Sequence, residues 1–336
     1  MKLSICMPTY NFGSFIGETL QSIVPQLMSG VEIVIFDGGS TDATEAVVTE
    51  FQRTCPAIRY VKQAHRGGID RDMASTVALA RGEYCWLFSS DDIMRPHALR
   101  RALAEIDSGL DVYLGGLTLC DRQMHPLGEH PIHRAPPGSV FQLSDAAQRR
   151  RYFASAITTP AFFSFMGSIL VRRDRWMAGT LEEEFVGSCW AHVVRMLRLV
   201  PRGLSIKLLG DSLLFKRGGN DSFMDRGLVH RYAIAIDGYQ RIARAVFGER
   251  SYEARHMRRV IVNEFPPKVF FFAKVLCRRE PRAQDEHELA RLVRAAYRDP
   301  TPRNLAYRLL YSTIPVRGYE AARFIHRKLR RPPPSA

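Results

Sequence analysis

Short apolar runs of strand length, each ending in a polar, turn-forming cluster, constrain this chain more than any other feature. Leu3-Ser4-Ile5-Cys6-Met7-Pro8 hands over to Thr9-Tyr10-Asn11, and Val31-Glu32-Ile33-Val34-Ile35-Phe36 hands over to Asp37-Gly38-Gly39-Ser40-Thr41-Asp42. Both runs place apolar residues on both faces, as a buried parallel strand requires. Pro8 has no N–H for a ladder, so the first strand is expected to stop there. Gly38 and Gly39 allow a tight turn, and Ser40, Thr41 and Asp42 are good N-caps for a helix carrying Ala46, Val47, Val48 and Phe51. Open α/β sheets bind their ligands at such strand ends, and a carboxylate there, beside a helix N-terminus, suits a base or ribose.

The same alternation runs on. Strands at 2–7, 31–36, 57–61, 83–88 and 111–117 alternate with helical patterns at 14–27, 42–53, 71–81 and 95–107, which predicts a doubly wound, mostly parallel sheet. Residues 120–140 are rich in Pro, Gly and His and read as a long loop. Prolines interrupt His125, His130 and His133, which also lack a partner cysteine, so metal binding there is disfavoured. From residue 225 onward the pattern is helical and arginine-rich, and it ends in Pro332-Pro333-Pro334.

Charge is divided unevenly. The net charge is +14, and residues 241–336 hold 22 Lys and Arg against 9 Asp and Glu, a surplus of 13. Anionic partners are therefore expected at the C-terminal region. The six cysteines show no CxxC spacing and read as buried thiols of a reducing compartment. The N-terminus lacks the pattern of a signal peptide, and no segment approaches the roughly 18 apolar residues needed to span a bilayer. The expected location is the cytoplasm, peripheral to a membrane.

The chemical centre is expected in Glu83-Tyr84-Cys85-Trp86-Leu87-Phe88-Ser89-Ser90-Asp91-Asp92, where an apolar strand ends in adjacent carboxylates. Hard oxygen ligands of this kind take Mg²⁺ or Mn²⁺, which in turn takes diphosphate oxygens. The plainer alternative is an N-cap and helix-dipole partner.

With Pro8-Thr9-Tyr10-Asn11, Asp37 to Asp42 and Ser90-Asp91-Asp92 in this order, the chain resembles family 2 glycosyltransferases of the GT-A fold over about residues 1–220. Gly67-Gly68-Ile69-Asp70, the following Asp72-Met73-Ala74 and Phe165-Met166-Gly167-Ser168 are similar to bacterial O-antigen transferases of the abequosyltransferase-like group. The resemblance implies a domain over 1–222, with a nucleotide-sugar half at 1–118 and an acceptor half at 119–222. A helical basic region at 223–330 and a disordered tail at 331–336 follow it. Thr9, Tyr10, Asp37, Asp70, Arg71, Ser90 and Arg217 would bind the donor, Arg66 is an alternative beside Asp70, and Asp91 with Asp92 would bind the divalent ion. Ser89 stands where the usual D-x-D pattern has its first acid.

The implied reaction is transfer of a sugar from a nucleotide-diphosphate donor to an acceptor hydroxyl with inversion, for which a base must face the bond opposite the leaving group. The Glu-Asp pair that usually supplies it is missing from Gly187-Ser188-Cys189-Trp190-Ala191-His192, so His192 is the leading base, with Asp92 as a second catalytic carboxylate. Glu182, Glu183 and Glu184 compete with His192. Lys216-Arg217-Gly218-Gly219-Asn220 suits a loop closing on diphosphate, or an ordinary turn.

The acceptor implied is a polyprenyl-diphosphate-linked saccharide. Val269 to Leu276, flanked by Lys268, Arg278 and Arg279, fits either a membrane interface or a buried packing helix, and Arg323, Arg327, Lys328, Arg330 and Arg331 fit an anionic inner-membrane surface. Two other classes compete. A sugar-phosphate nucleotidyltransferase needs a basic glycine-rich N-terminal loop, which is missing here. A nucleic-acid-binding protein leaves Asp37, Asp91 and Asp92 facing a polyanion without purpose, so no nucleic acid is expected.

Overall fold

The computed structural model describes residues 1–221, 223, 224, 226–279, 285–315, 318 and 319. The chain divides into two compact units, Met1–Asp221 and Ser222–Ala336.

In the first unit β1 (Leu3–Thr9), α1 (Ile16–Ile23), β2 (Val31–Asp37), α2 (Thr44–Thr54), β3 (Ile58–Lys62), α3 (Ile69–Leu79) and β4 (Tyr84–Leu87) form the expected alternation. β5 (Ile93–Met94), α4 (Ala98–Ile106), β6 (Val112–Cys120), β7 (Pro126–Glu129), β8 (Val140–Gln142) and α5 (Ala146–Ser155) follow. β9 (Ile169–Arg172), α6 (Arg173–Ala178), α7 (Ala191–Leu199) and β10 (Ser205–Lys216) complete it. The sheet order is β3-β2-β1-β4-β9-β6-β10-β5, with β7 on β6 and β8 on β10. The strands β3, β2, β1 and β4 are parallel, and β9 runs antiparallel between β4 and β6. Leu3, Ile5, Ile33, Ile35 and Trp86 on one face and Cys6, Val34, Cys85 and Leu87 on the other are fully buried, so the strand signal came from residues packed on both faces of the sheet.

The first strand does not stop at Pro8. It continues to Thr9, with Pro8 opposite Phe36 of β2. Pro8 is tolerated because its backbone faces the β4 side, where the ladder ends at Cys6 opposite Leu87 and the Ser90 hydroxyl donates to the Pro8 carbonyl at 3.0 Å. The segment at 120–140 is likewise more ordered than a loop, since it contains β7 and leads into β8. His133 there has its Nε2 2.9 Å from the Tyr152 carbonyl and its Nδ1 accepting from the Ala135 amide at 3.1 Å, which leaves it no lone pair for a metal.

The second unit holds α8 (Leu228–Phe247), α9 (Tyr252–Glu264), α10 (Pro267–Arg279), α11 (Asp285–Ala296) and α12 (Pro302–Thr313). Of the two readings of α10, burial supports the packing helix: Phe270 is fully buried against Tyr232, Phe265 and Tyr297, and Phe271 is buried as well. No helix among the described residues is long and apolar enough to cross a membrane. The arginines and lysine at 323–331 and the terminal prolines lie outside the described residues.

Glu32 of β2 is buried and holds the frame together. Its Oε1 accepts from Ser4 Oγ at 2.6 Å and from the Arg81 amide at 2.7 Å, while Ser4 Oγ accepts from the Gly82 amide at 2.8 Å, so β1, β2 and the turn into β4 share one network. Glu32→Ala strands the buried Ser4 hydroxyl and the part-buried Arg81 amide and should cost about 2 kcal/mol in urea unfolding, whereas a loss below about 0.5 kcal/mol would show that the network is dispensable.

Candidate active site

The loops after β1 and β2 are zipped together. Asn11, with φ of 57°, donates its amide to Ser40 Oγ at 2.8 Å and accepts from the Thr41 amide at 2.8 Å. The Phe12 amide donates to Thr44 Oγ1 at 3.0 Å, and the Gly13 amide to Asp42 Oδ2 at 2.9 Å. Gly39 needs its freedom because φ is 89°, and Gly38 is fixed for another reason: a Cβ there would lie 2.4 Å from Asp72 Oδ2.

Inside this collar Thr9 is buried and its hydroxyl has no partner, while Tyr10 carries the Arg66 guanidinium 4.4 Å above its ring. Asp37 is fully buried, with Oδ1 accepting from the Ser40 amide at 2.7 Å and Oδ2 from the Tyr60 hydroxyl at 2.5 Å, so both oxygens are engaged. Burial and then the Asp37 carboxylate push the Tyr60 phenol far up, which keeps it a donor. Asp72 accepts from Gln63 Nε2 at 3.0 Å, and burial, with help from the Asp37 charge, raises its pKa to about 6.

The acidic pair follows β4. Ser89 Oγ donates to Asp91 Oδ1, and Asn220 Nδ2 donates to Asp91 Oδ2 at 2.8 Å. Asp92 is buried; its Oδ1 accepts from the Arg217 amide at 2.9 Å and its Oδ2 has no partner. Burial and then the Asp91 charge hold the Asp92 carboxyl well above the usual range. The Arg217 side chain is itself buried and spent on the protein. It donates to the Asp91 carbonyl at 2.9 Å, the Arg122 carbonyl at 2.8 Å and Glu18 Oε2 at 2.5 Å. Among the described residues no three His, Cys, Asp or Glu side chains cluster as a closed metal cage. The Asp91 carboxylate, held by two side-chain donors, beside the unpartnered buried oxygen of Asp92 instead suits a cation completed by ligand phosphates and water.

Asp70 is buried and does not face the β1 and β2 loops through its oxygens. Its Oδ2 accepts from the amides of Gly187 at 2.9 Å and Cys189 at 3.0 Å, and its Oδ1 from Ala191 at 3.0 Å. This carboxylate caps α7 across more than a hundred residues and holds Cys189 at φ of 70°. Arg71 pairs with Glu183 at 2.6 Å, and Glu182 pairs with Arg198 at 2.8 Å. His192, in the first turn of α7, is buried with no side-chain partner on either ring nitrogen. Burial, against a weaker pull from the Phe163 backbone, lowers its pKa to about 4, so it is neutral at pH 7.

Sequence reasoning left Tyr60, Asp72, Asn220 and Glu18 without roles. Tyr60 and Glu18 carry no local signal, while a second acid two residues after Asp70 could have drawn notice to Asp72. None of the expected site residues lines the separate cavity of about 580 Å³ between α4, β6 and β10, whose walls include Arg95, Glu129 and His130.

Residues 4–170 match the family model described as glycosyl transferase family 2. The abequosyltransferase RfbV of Salmonella typhimurium is 28% identical over 276 residues, covering 79% of this chain and 81% of that protein. Among solved structures, Staphylococcus aureus TarS 1–349 in complex with UDP-GlcNAc has a TM-score of 0.59 at 17% identity, covering 98% of this chain and 92% of that one. A mannosyltransferase from Pyrobaculum calidifontis in complex with GDP-Man and Mn²⁺ has a TM-score of 0.55 at 15% identity, covering 98% and 88%. At these identities the two structures share the fold.

The raised pKa of Asp72 makes a pH prediction. The folded pKa of about 6 exceeds the ordinary 3.8, so the folded state holds the proton more tightly and stability falls as pH rises between these values. Asp72→Asn should therefore gain on the wild type, in denaturant unfolding, progressively from about pH 4 to pH 6 and level off above. An equal difference at pH 4 and pH 7 would contradict this.

Proposed function

The chain belongs to glycosyl transferase family 2 through its domain at residues 4–170, and from that premise we propose that it transfers a sugar, with inversion, from a nucleoside-diphosphate donor to a lipid-linked saccharide in bacterial surface polysaccharide assembly. The observation that carries the reading is the acidic pair Asp91-Asp92 after β4, beside the zipped loops that follow β1 and β2. Thr9, with its unpartnered hydroxyl, and the Tyr10–Arg66 stack offer the base and ribose a polar contact and a flat face. Asp37 supports this pocket from beneath through Ser40 and Tyr60, and Ser90 fixes the strand end by its bond to Pro8.

The residues fit a divalent cation such as Mg²⁺ or Mn²⁺. Asp91 would hold it, with Asn220 and Ser89 giving up their bonds, and the unpartnered Asp92 Oδ2 lies next in the chain. When bound, the ion would neutralise charge on the departing diphosphate. Arg217 keeps the pair in place by gripping the Asp91 carbonyl and donating its amide to Asp92.

His192 is proposed as the base that takes the acceptor proton. It is neutral at pH 7 and its ring is unpartnered, whereas Glu182 and Glu183 are tied to arginines. Asp70 and Arg71 act by holding the loop and the acidic turn ahead of α7. The acceptor is assigned to the cytoplasmic membrane face because residues 222–336 hold 24 Lys and Arg against 11 Asp and Glu, nearly all the surplus charge of the chain.

His192→Ala should lower turnover of the donor about 100-fold with nucleoside-diphosphate affinity unchanged, and NMR of the product should show the anomeric configuration opposite to that of the donor. Near-normal turnover would move the base to the glutamates, and a retained configuration would remove the inverting mechanism.

A further inference from the structure

The outer face of α12 exposes three leucines: Leu305 is 53% exposed, Leu309 63% and Leu310 40%. Nothing in the described chain covers them, although the inner face of the same helix is fully used. Asn304 is buried and donates to the Asp299 carbonyl at 3.0 Å. Tyr307 packs on Tyr297 at 5.3 Å and Tyr311 on Phe271 at 5.9 Å.

Helical spacing puts Leu305, Ala306, Leu309, Leu310 and Thr313 on one stripe, with Arg303 on one flank and Arg308 on the other. Arg303 stacks over Tyr307 at 5.2 Å and donates to Asn263 Oδ1 at 3.0 Å, and Arg308 has no carboxylate partner among the described residues. Apolar ridge and cationic borders together are the pattern of a helix lying in a lipid interface, leucines at the acyl boundary and guanidinium groups at the phosphates.

We propose that α12 docks this chain onto anionic lipid through the Leu305–Leu309–Leu310 face. Charge selects that occupant over the alternatives. Residues 316–336, which follow the helix in sequence, carry six Lys and Arg against one Glu and add to the positive charge that anionic lipid would meet. A second copy would bring one strongly basic surface against another. In the phenylalanine run of α10, Phe270 and Phe271 are spent in the core of their own unit and only Phe272, 39% exposed, reaches the surface, whereas α12 exposes three leucines on one face. The surface deepens the proposed membrane-borne acceptor and rests on that reading for its purpose.

The test is flotation of the full chain with vesicles of phosphatidylcholine alone and of phosphatidylcholine with phosphatidylglycerol. The wild type should float with the anionic vesicles only. Leu305→Ser/Leu309→Ser should weaken this about tenfold without lowering the melting temperature or nucleoside-diphosphate affinity. Nucleotide affinity reports on the transferase reading separately from lipid binding. Flotation of the double variant equal to the wild type would overturn the proposal, as would a wild type that binds neither vesicle. Self-association abolished by the same substitutions would overturn it in favour of a second copy.

Discussion

A carboxylate taken out of water must find hydrogen-bond donors or hold a proton, and the C-terminal edge of the parallel strands is organised around that requirement. Asp37, Asp70, Asp72, Asp91 and Asp92 are each less than 10% exposed. Their donors are mostly backbone amides of loops that would otherwise be free to move: Ser40 for Asp37, Gly187, Cys189 and Ala191 for Asp70, and Arg217 for Asp92. Each aspartate thus fixes a loop, and the loops make the walls of the site. The cost of burial persists where donors are few. Asp72 and Asp92 keep raised pKa values, and Asp92 keeps an oxygen with no partner. Strain left at these two positions is what a bound donor and cation could relieve.

The strand ends were legible in the sequence because their signal is local. Apolar runs stop, glycines turn, and carboxylates follow, all within about ten residues, and the alternating strands and helices emerged within a few residues of where periodicity puts them. Long-range partners left no such trace. Asp70 finds its three amides 117 to 121 residues away, and Asp91 finds Asn220 at a separation of 129. Read locally, Asp70 and Arg217 are free donor ligands; in the fold, one caps a distant helix and the other is wedged beneath the acidic pair. Pro8 failed as a stop signal because a strand whose neighbour has already ended loses nothing by lacking an N–H. The α10 phenylalanines were ambiguous for a related reason, since burial depends on which helix lies across from them.

The two units divide the physics of the problem. The first is nearly neutral and gathers buried acids around the loops after β1, β2 and β4. The second carries almost the whole positive surplus, and its exposed leucines lie between arginines. Under the proposed function, with its membrane-fixed acceptor, such a division would raise the local acceptor concentration through lipid attraction without adding cations near the acidic pair.

The central claim is that Asp91 links a nucleoside diphosphate to a divalent cation. Calorimetric titration of UDP, CDP, GDP and dTDP, each with and without Mn²⁺, into wild type and Asp91→Ala tests it most directly. The expected result is one nucleotide that binds the wild type at least about tenfold more tightly with Mn²⁺, a gain that disappears in the variant. Binding that ignores Mn²⁺, or a gain that survives loss of the carboxylate, would contradict it.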